Sequence, residues 1–276
     1  MSDPSRAIDL SVEVPGTPEE VWEAIATGPG ITSWFVPHTV EGRPGGEATM
    51  DFGPGYGVAT ARVAVWEPPH RLVLQSEGEQ PLAYEWVVEA RSGSACVVRL
   101  VTTGFGTGDD WDAQYDGLDT GWRLFLQNLR LHQELFAGQA ARSLIPTQVL
   151  SGGRDDAFAR ICTAFGIRPD LAAAEAFRTS GSGVPTLSGT VERVLRLPRA
   201  TAYLLVLDQP APGHGFLAAE GTQDAVAVSF YLYLYGEGAA GLPDTVSPFL
   251  AERFGAAPAT APTAAQTAAP EGAPEA

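Results

Sequence analysis

The sequence predicts an α+β protein in which an antiparallel sheet packs against one long helix. Residues 7–14 alternate strictly between apolar and polar side chains, which is the period of a strand with one buried face. Across residues 40–103, strand-like runs are separated by turn signals that lie too close together for crossover helices, which favours an antiparallel meander. Residues 110–136 carry large apolar side chains at spacings of three and four, typical of an amphipathic helix roughly 40 Å long. A sheet facing one such helix is an α+β layer arrangement.

The first helix is predicted to begin at Pro18. Thr17 and Glu20 have the spacing of a capping box, and proline suits the first helical position because no donor is needed there. A Gly-Pro-Gly stretch ends this helix, and residues 31–35 are predicted to add one more helical turn. Strands are then predicted at 58–66, 71–75, 82–89 and 95–102.

The pattern partly starts again after Gly138. Residues 19–31 and 155–167, which lie 136 positions apart, share four identities, and a strand-like stretch at 147–150 precedes the second segment. Further strands are predicted at 189–197, 202–208 and 225–235, and a short helix at 245–254. We therefore predict a domain at 1–138 followed by a shortened second copy of the same unit at 139–255. Residues 256–276 hold ten alanines and four prolines and are predicted to form a disordered tail.

Charge and composition exclude several classes of function. All 17 basic residues are arginine, so Schiff-base chemistry at lysine and a phosphate-binding P-loop lysine are excluded. The 33 acidic residues give a net charge of −16, and residues 1–138 contribute −12 of it, from 8 arginines and 20 acids. This charge disfavours nucleic acid and membrane surfaces as partners, but it suits a basic protein partner. The chain shows no signal-peptide pattern and no long apolar run, so a cytoplasmic location is expected.

Metal and nucleophile signals are weak. The four histidines lack the spacing of a zinc site, and the acidic cluster at 109–119 fails the EF-hand pattern, so neither a metal nor a cofactor is predicted. Cys96 and Cys162 are expected to be buried free thiols rather than a disulfide. We expect His38 at the surface and His214 in a glycine-rich turn.

Several short motifs follow one another in the order and spacing of a known family. After the first strand they read P-G-T-P-E-E-V-W-E-A-I, I-T-S-W-F-V-P, E-P-P-H-R-L, T-T-G-F and G-W-R-L-F-L-Q-N-L. Together they resemble the family related to the activator of Hsp90 ATPase, which belongs to the START/Bet v 1-like superfamily. The resemblance covers residues 7–136. It implies the helix-grip fold, in which a curved antiparallel sheet wraps around a long C-terminal helix and encloses an apolar cavity.

The resemblance also implies which side chains line that cavity. They come from the long helix, the short helical turn and one strand face: Trp34, Phe35, Trp86, Leu100, Thr102, Tyr115, Leu118, Trp122, Leu129 and His132. For Tyr115 and Trp122 the alternative is plain core packing, and for His132 it is a core histidine bonded to a backbone carbonyl. The family has no shared catalytic set, so no catalytic residue is predicted.

The leading functional hypothesis is therefore binding of a small hydrophobic or aromatic ligand in this cavity. One alternative is a co-chaperone role like that of the Hsp90 activators, with the acidic surface docked on a basic partner. Another is an enzyme of the polyketide cyclase or dehydratase type that uses a cavity His, Tyr or Asp as acid or base. The fold alone does not choose among these.

Overall fold

The N-terminal half forms a seven-stranded antiparallel sheet that packs against one long helix. The computed structural model describes residues 6–53, 57–222, 225–241 and 243–255, so the predicted tail lies outside the described residues. The elements of this half are β1 (Ile8–Pro15), α1 (Pro18–Ala26), α2 (Gly28–Thr32), β2 (His38–Val40), β3 (Glu47–Asp51), β4 (Val58–Glu67), β5 (Arg71–Ser76), β6 (Ala83–Arg91), β7 (Ala95–Thr103) and α3 (Asp109–Phe136). The strand order is β1-β7-β6-β5-β4-β3-β2. The predicted α+β class, meander and long helix are confirmed.

Local sequence explains where the first helices begin and end. The predicted capping box is present: Glu20 N donates to Thr17 Oγ1 over 3.3 Å, and Thr17 N donates to Glu20 Oε2 over 2.8 Å. The second helix begins earlier than predicted, because Thr27 caps it by accepting from Gly30 N over 3.1 Å. A Cβ on Gly30 would lie 2.0 Å from the Glu23 carbonyl oxygen, so only glycine allows α1 and α2 to approach this closely.

The C-terminal half repeats the order of these elements around a second sheet. Its elements are β8 (Arg142–Leu144), β9 (Thr147–Leu150), α4 (Arg154–Ala164), β10 (Ala176–Arg178), β11 (Ser188–Leu197), β12 (Ala200–Gln209), β13 (Gly213–Thr222), β14 (Ala225–Leu234), a 3-10 helix (Glu237–Gly241) and α5 (Pro243–Phe254). β9 pairs antiparallel with the last strand β14, as β1 pairs with β7. The topology fits a shortened copy with a short final helix, while duplication itself and the exact domain boundaries stay predictions.

The placement of His214 in a turn is wrong. His214 lies on β13, in the middle of the second sheet, and is fully buried. The flanking glycines look like turn residues but meet a packing need, since a Cβ on Gly215 would lie 2.0 Å from the Tyr231 carbonyl oxygen.

The described residues form two hydrophobic cores, and the first of them contains side chains from both halves of the chain. On β14, Tyr231 and Tyr233 face α3, whereas Phe230 and Leu232 on the opposite face pack in a core with α4 and α5. The Phe125 ring of α3 lies 5.3 Å from the Tyr231 ring, centroid to centroid. Helix α3 is therefore buried on two sides, between its own sheet and the second one.

The thiol prediction is confirmed, and both cysteines are free and buried. Burial raises the pKa of Cys162 to about 12, so this thiol stays protonated at neutral pH. No helix in the described part of the chain is both long and apolar enough to cross a membrane.

Candidate functional site

A small cavity lies between α2, α3 and the inner face of the first sheet. We call it the aromatic cavity. Its lining residues are Ile25, Ile31, Trp34, Phe35, His38, Met50, Phe52, Leu74, Tyr84, Trp86 and Trp122. Its volume is about 30 Å³, enough for one or two water molecules, whereas pockets for drug-sized ligands hold roughly 300 Å³ or more.

Aromatic rings occupy most of the space under the sheet. The Trp122 ring centroid lies 4.9 Å from that of Phe35, 5.5 Å from that of Trp86 and 6.1 Å from that of Tyr84. Contacts to Trp86 and Tyr84 are edge-to-face, a geometry that contributes about 0.5–1.5 kcal/mol per pair beyond area burial. Aromatic side chains thus fill most of the space between the sheet and α3.

Polar atoms on this inner face lack partners. Trp122 Nε1 and Thr102 Oγ1 are buried and make no hydrogen bond within the described residues. Thr102 lies directly opposite Tyr84 on the neighbouring strand, and no described residue hydrogen-bonds to the Tyr84 hydroxyl, whose pKa is raised by burial. Leaving a buried donor unpaired costs about 1–3 kcal/mol, so an acceptor brought in by a ligand would be stabilised here.

His38, expected at the surface, is half-buried and lines the aromatic cavity. Its Nδ1 donates to the Val36 carbonyl over 2.7 Å, which leaves Nε2 as an acceptor. Burial lowers the pKa of His38 to about 4, so the imidazole is neutral at pH 7. The short strand β2, which the sequence patterns did not indicate, turns this side chain inward.

Four of the ten candidate ligand-binding residues line the aromatic cavity. They are Trp34, Phe35, Trp86 and Trp122. The others that are buried around it but do not line it are Leu100, Thr102, Leu118 and Leu129. Sequence reasoning missed Tyr84, although it shares the inner strand face with Trp86 two residues further on and strand alternation could have indicated it.

Tyr115 and His132 lie elsewhere. The Tyr115 hydroxyl donates to the Ala7 carbonyl over 3.1 Å, and the Arg6 guanidinium lies 3.7 Å from the centre of its ring. His132 belongs to a polar network between the two halves of the chain.

This interdomain network runs through four buried side chains, which we call the relay: Asn128, His214, Tyr235 and His132. Asn128 Nδ2 donates to the Trp34 carbonyl over 2.6 Å, and Asn128 Oδ1 lies 2.7 Å from His214 Nδ1. The Tyr235 hydroxyl oxygen lies 3.0 Å from His214 Nε2 and 2.8 Å from His132 Nδ1.

The Trp34 carbonyl sets the proton positions along the relay. It accepts from the Asn128 amide, so Asn128 Oδ1 must accept from His214 Nδ1–H. Burial lowers the pKa of His214 well below its usual value, so His214 Nε2 is bare and accepts from the Tyr235 hydroxyl. The Ser33 carbonyl oxygen, 3.3 Å from the Tyr235 hydroxyl oxygen, is a second acceptor for the same single hydrogen. Because that hydrogen points to His214 Nε2 or to Ser33, His132 Nδ1 donates to the hydroxyl oxygen. His132 Nε2 is left as a bare acceptor.

The fold and the cavity together define the N-terminal half as a sheet-and-helix domain with an aromatic cavity under its long helix. Residues 15–133 match the family model described as Activator of Hsp90 ATPase homolog 1-like protein. This match confirms the resemblance seen in the motifs of the N-terminal half.

Solved structures are also similar to the chain. The di-domain ARO/CYC BexL from the BE-7585A biosynthetic pathway is 16% identical, with a TM-score of 0.45, covering 92% of this chain and 100% of that one. DynU16, from the dynemicin biosynthetic locus, is 19% identical with a TM-score of 0.44, covering 91% and 94%. The Aha1 dimer from Colwellia psychrerythraea is 20% identical with a TM-score of 0.40, covering 47% and 97%. No curated protein matches the chain.

Proposed function

We propose that the chain binds a small aromatic or hydrophobic ligand in the aromatic cavity. The observation that carries this proposal is an aromatic wall that includes the unpartnered Trp122 Nε1 and the side chain of Tyr84. Apolar walls with a few convergent polar groups are typical of ligand sites. A ligand with a hydroxyl or carbonyl group would bury its ring against the wall and hydrogen-bond to these groups.

Ligand entry requires the aromatic cavity to expand, and Phe35 is the wall residue best placed to move. Trp34 is held by two hydrogen bonds, from its Nε1 to the Ala24 carbonyl over 2.9 Å and from Asn128 to its own carbonyl. The Phe35 side chain has no polar atom and is held by packing only, which includes contact with the Phe125 ring at 4.4 Å between centroids. We therefore expect Phe35 to rotate away when a ligand enters.

Phenol and toluene test this proposal, because they have nearly the same shape and differ in the hydroxyl group. Phenol is expected to bind the wild-type protein in an NMR titration. Trp122→Phe and Tyr84→Phe are each expected to lower the affinity for phenol about fivefold, because each removes one hydrogen bond. Toluene affinity should not change with Tyr84→Phe. Phe35→Ala should raise the affinity for both compounds, because a cavity of about 150 Å³ suffices for benzene.

Trp66→Phe is the matched control, since Trp66 packs edge-to-face on Trp22, 5.1 Å between centroids, and does not line the aromatic cavity. The proposal is wrong if neither compound binds the wild type or Phe35→Ala, or if Trp66→Phe weakens phenol as much as Trp122→Phe does.

A second candidate function is proton transfer on a carbonyl compound, and the position of His38 favours it. His38, with a neutral ring and an acceptor at Nε2, lines the same cavity as the Tyr84 hydroxyl. A base and a hydroxyl donor in one cavity are the groups needed to form an enolate: the base takes a proton from the carbon next to the carbonyl, and the hydroxyl stabilises the negative oxygen by donating a hydrogen bond to it.

Acetophenone in D₂O tests this second function. The protein is expected to accelerate deuterium exchange of the methyl group, followed by NMR, and His38→Gln is expected to remove about 100-fold of that acceleration. Exchange no faster than in buffer, or an unchanged rate in His38→Gln, would exclude the second candidate.

A further inference from the structure

A second concave site lies outside the aromatic cavity, between α1, α2 and the C-terminal end of α3. We call it the acidic cleft. It has a volume of about 150 Å³ and shares no lining residue with the aromatic cavity. Its lining residues are Glu20, Glu23, Ala24, Thr27, Pro29, Gly30, His132, Gly138, Gln139 and Ala140.

His132 supplies the buried polar group of the acidic cleft. Only 2% of its surface is exposed, and its Nδ1 is bonded to Tyr235. The other ring nitrogen of His132, Nε2, makes no hydrogen bond within the described residues. Because the relay places the proton on Nδ1, Nε2 presents a lone pair to the cleft.

Apart from the Gln139 amide, which can both donate and accept, the other polar side chains of the acidic cleft are acceptors or already paired. Glu20 and Glu23 are exposed carboxylates at its rim, and no arginine is among the lining residues. The Thr27 hydroxyl is committed, since it donates to the Glu23 carbonyl over 2.7 Å and accepts from Gly30 N. The cleft thus combines two negative charges at its rim with an unpaired acceptor beneath them.

The two carboxylates and the unpaired acceptor determine which charge a molecule bound in the acidic cleft can carry. An anion would be repelled by both carboxylates. A metal ion is disfavoured, because no group of three metal-ligating side chains exists within the described residues. A cation that carries N–H groups can donate to His132 Nε2 and place its charge near both carboxylates.

We propose that the acidic cleft binds the cationic head of a small organic amine, whose N–H donates to His132 Nε2 while its charge faces Glu23 and Glu20. The volume is comparable to the roughly 150 Å³ of an apolar cavity that holds benzene, so one ring or a short chain fits beside the head group. In this site Tyr235 is a positioning residue, because it holds the proton of His132 on Nδ1.

Benzylamine and benzyl alcohol test the proposal, since they share the ring and differ in charge. Benzylammonium is expected to bind the wild-type protein at least tenfold more tightly than benzyl alcohol in NMR titrations at pH 7. Glu23→Gln removes one rim charge from an exposed position, and His132→Phe removes the acceptor but keeps a ring; each is expected to weaken benzylammonium about tenfold. Thermal unfolding of each variant shows whether the fold is kept.

Two matched variants separate this site from the alternatives. Glu19→Gln removes a charge from the same turn of α1 without touching the cleft, and it should leave the affinity unchanged. If Glu19→Gln weakens binding as much as Glu23→Gln does, attraction to the net negative charge explains the binding and the proposal is wrong. Trp122→Phe should also have no effect, and a weakening there would place the ligand in the aromatic cavity and overturn the proposal.

A separate measurement tests whether Tyr235 holds the proton of His132 on Nδ1. Tyr235→Phe removes the acceptor of His132 Nδ1, so we expect the neutral ring to redistribute its proton between Nδ1 and Nε2. The ¹⁵N chemical shifts of His132 report this change directly, and benzylammonium should bind more weakly in parallel. An unchanged tautomer in Tyr235→Phe would remove Tyr235 from this role, and an Nε2–H tautomer in the wild type would overturn the proposal itself.

Discussion

Replacing Asn128 with leucine is expected to destabilise the protein by about 2–5 kcal/mol, although the two side chains are similar in size. Asn128 is fully buried and satisfies two groups that no solvent reaches, the Trp34 carbonyl and His214 Nδ1–H. Leucine would leave both unpaired, at about 1–3 kcal/mol each. Urea unfolding at pH 7 measures the loss.

Arg123→Ala is the control for this measurement. Arg123 forms a helical surface pair with Asp119, with 2.8 Å between Arg123 Nε and Asp119 Oδ2, and such exposed pairs contribute about 0.3–0.5 kcal/mol. If Asn128→Leu costs no more than Arg123→Ala, the relay does not stabilise the contact between the two halves.

The second large effect is expected at Glu220, a buried carboxyl on β13. Its cross-strand neighbours are Ala200 and Ala227, no ion pair reaches it within the described residues, and burial raises its pKa to about 7. The unfolded chain releases this proton near the ordinary value of 4.5, whereas the folded chain holds it until about 7. Stability is therefore complete below pH 4.5 and is lost as the pH rises through 7.

Glu220→Gln removes the ionisable group with little change in shape. A rise of the pKa from 4.5 to about 7 corresponds to about 3 kcal/mol, so the variant should be more stable than wild type by about that amount at pH 8.5 and equally stable at pH 4. Urea unfolding at both pH values gives the comparison. A difference that is the same at both pH values would show that ionisation of Glu220 is not its cause.

The wild-type pH profile alone would hide this effect. Burial lowers the pKa of His132 to about 4 from 6.5, so the unfolded chain takes up a proton below pH 6.5 that the folded chain refuses. Its contribution to stability is lost as the pH falls from 6.5 to 4, opposite in sign to that of Glu220. The contribution of Glu220 is therefore obtained from the difference in the free energy of unfolding between Glu220→Gln and wild type.

The candidate site is partly predictable because the family resemblance carries over to individual positions of this sequence. The resemblance implies that Trp34, Phe35, Trp86 and Trp122 line a cavity under the sheet, and all four line the aromatic cavity. His38 was missed because β2 has three residues, too few for a recognisable period. A basic protein partner for the acidic surface stays a prediction, because no contact in the structure bears on it.

The sequence by itself determined most helices and strands of each half, because helix capping, apolar–polar alternation and helical spacing each depend on a few neighbouring residues. It also indicated the free, buried state of Cys96 and Cys162 and contains the motifs that match the family model. Only the tertiary structure decided that α3 is buried between two sheets, and that His132, Tyr235, His214 and Asn128 meet. Those contacts join residues up to 103 positions apart, and no local pattern encodes which face of one half covers the other.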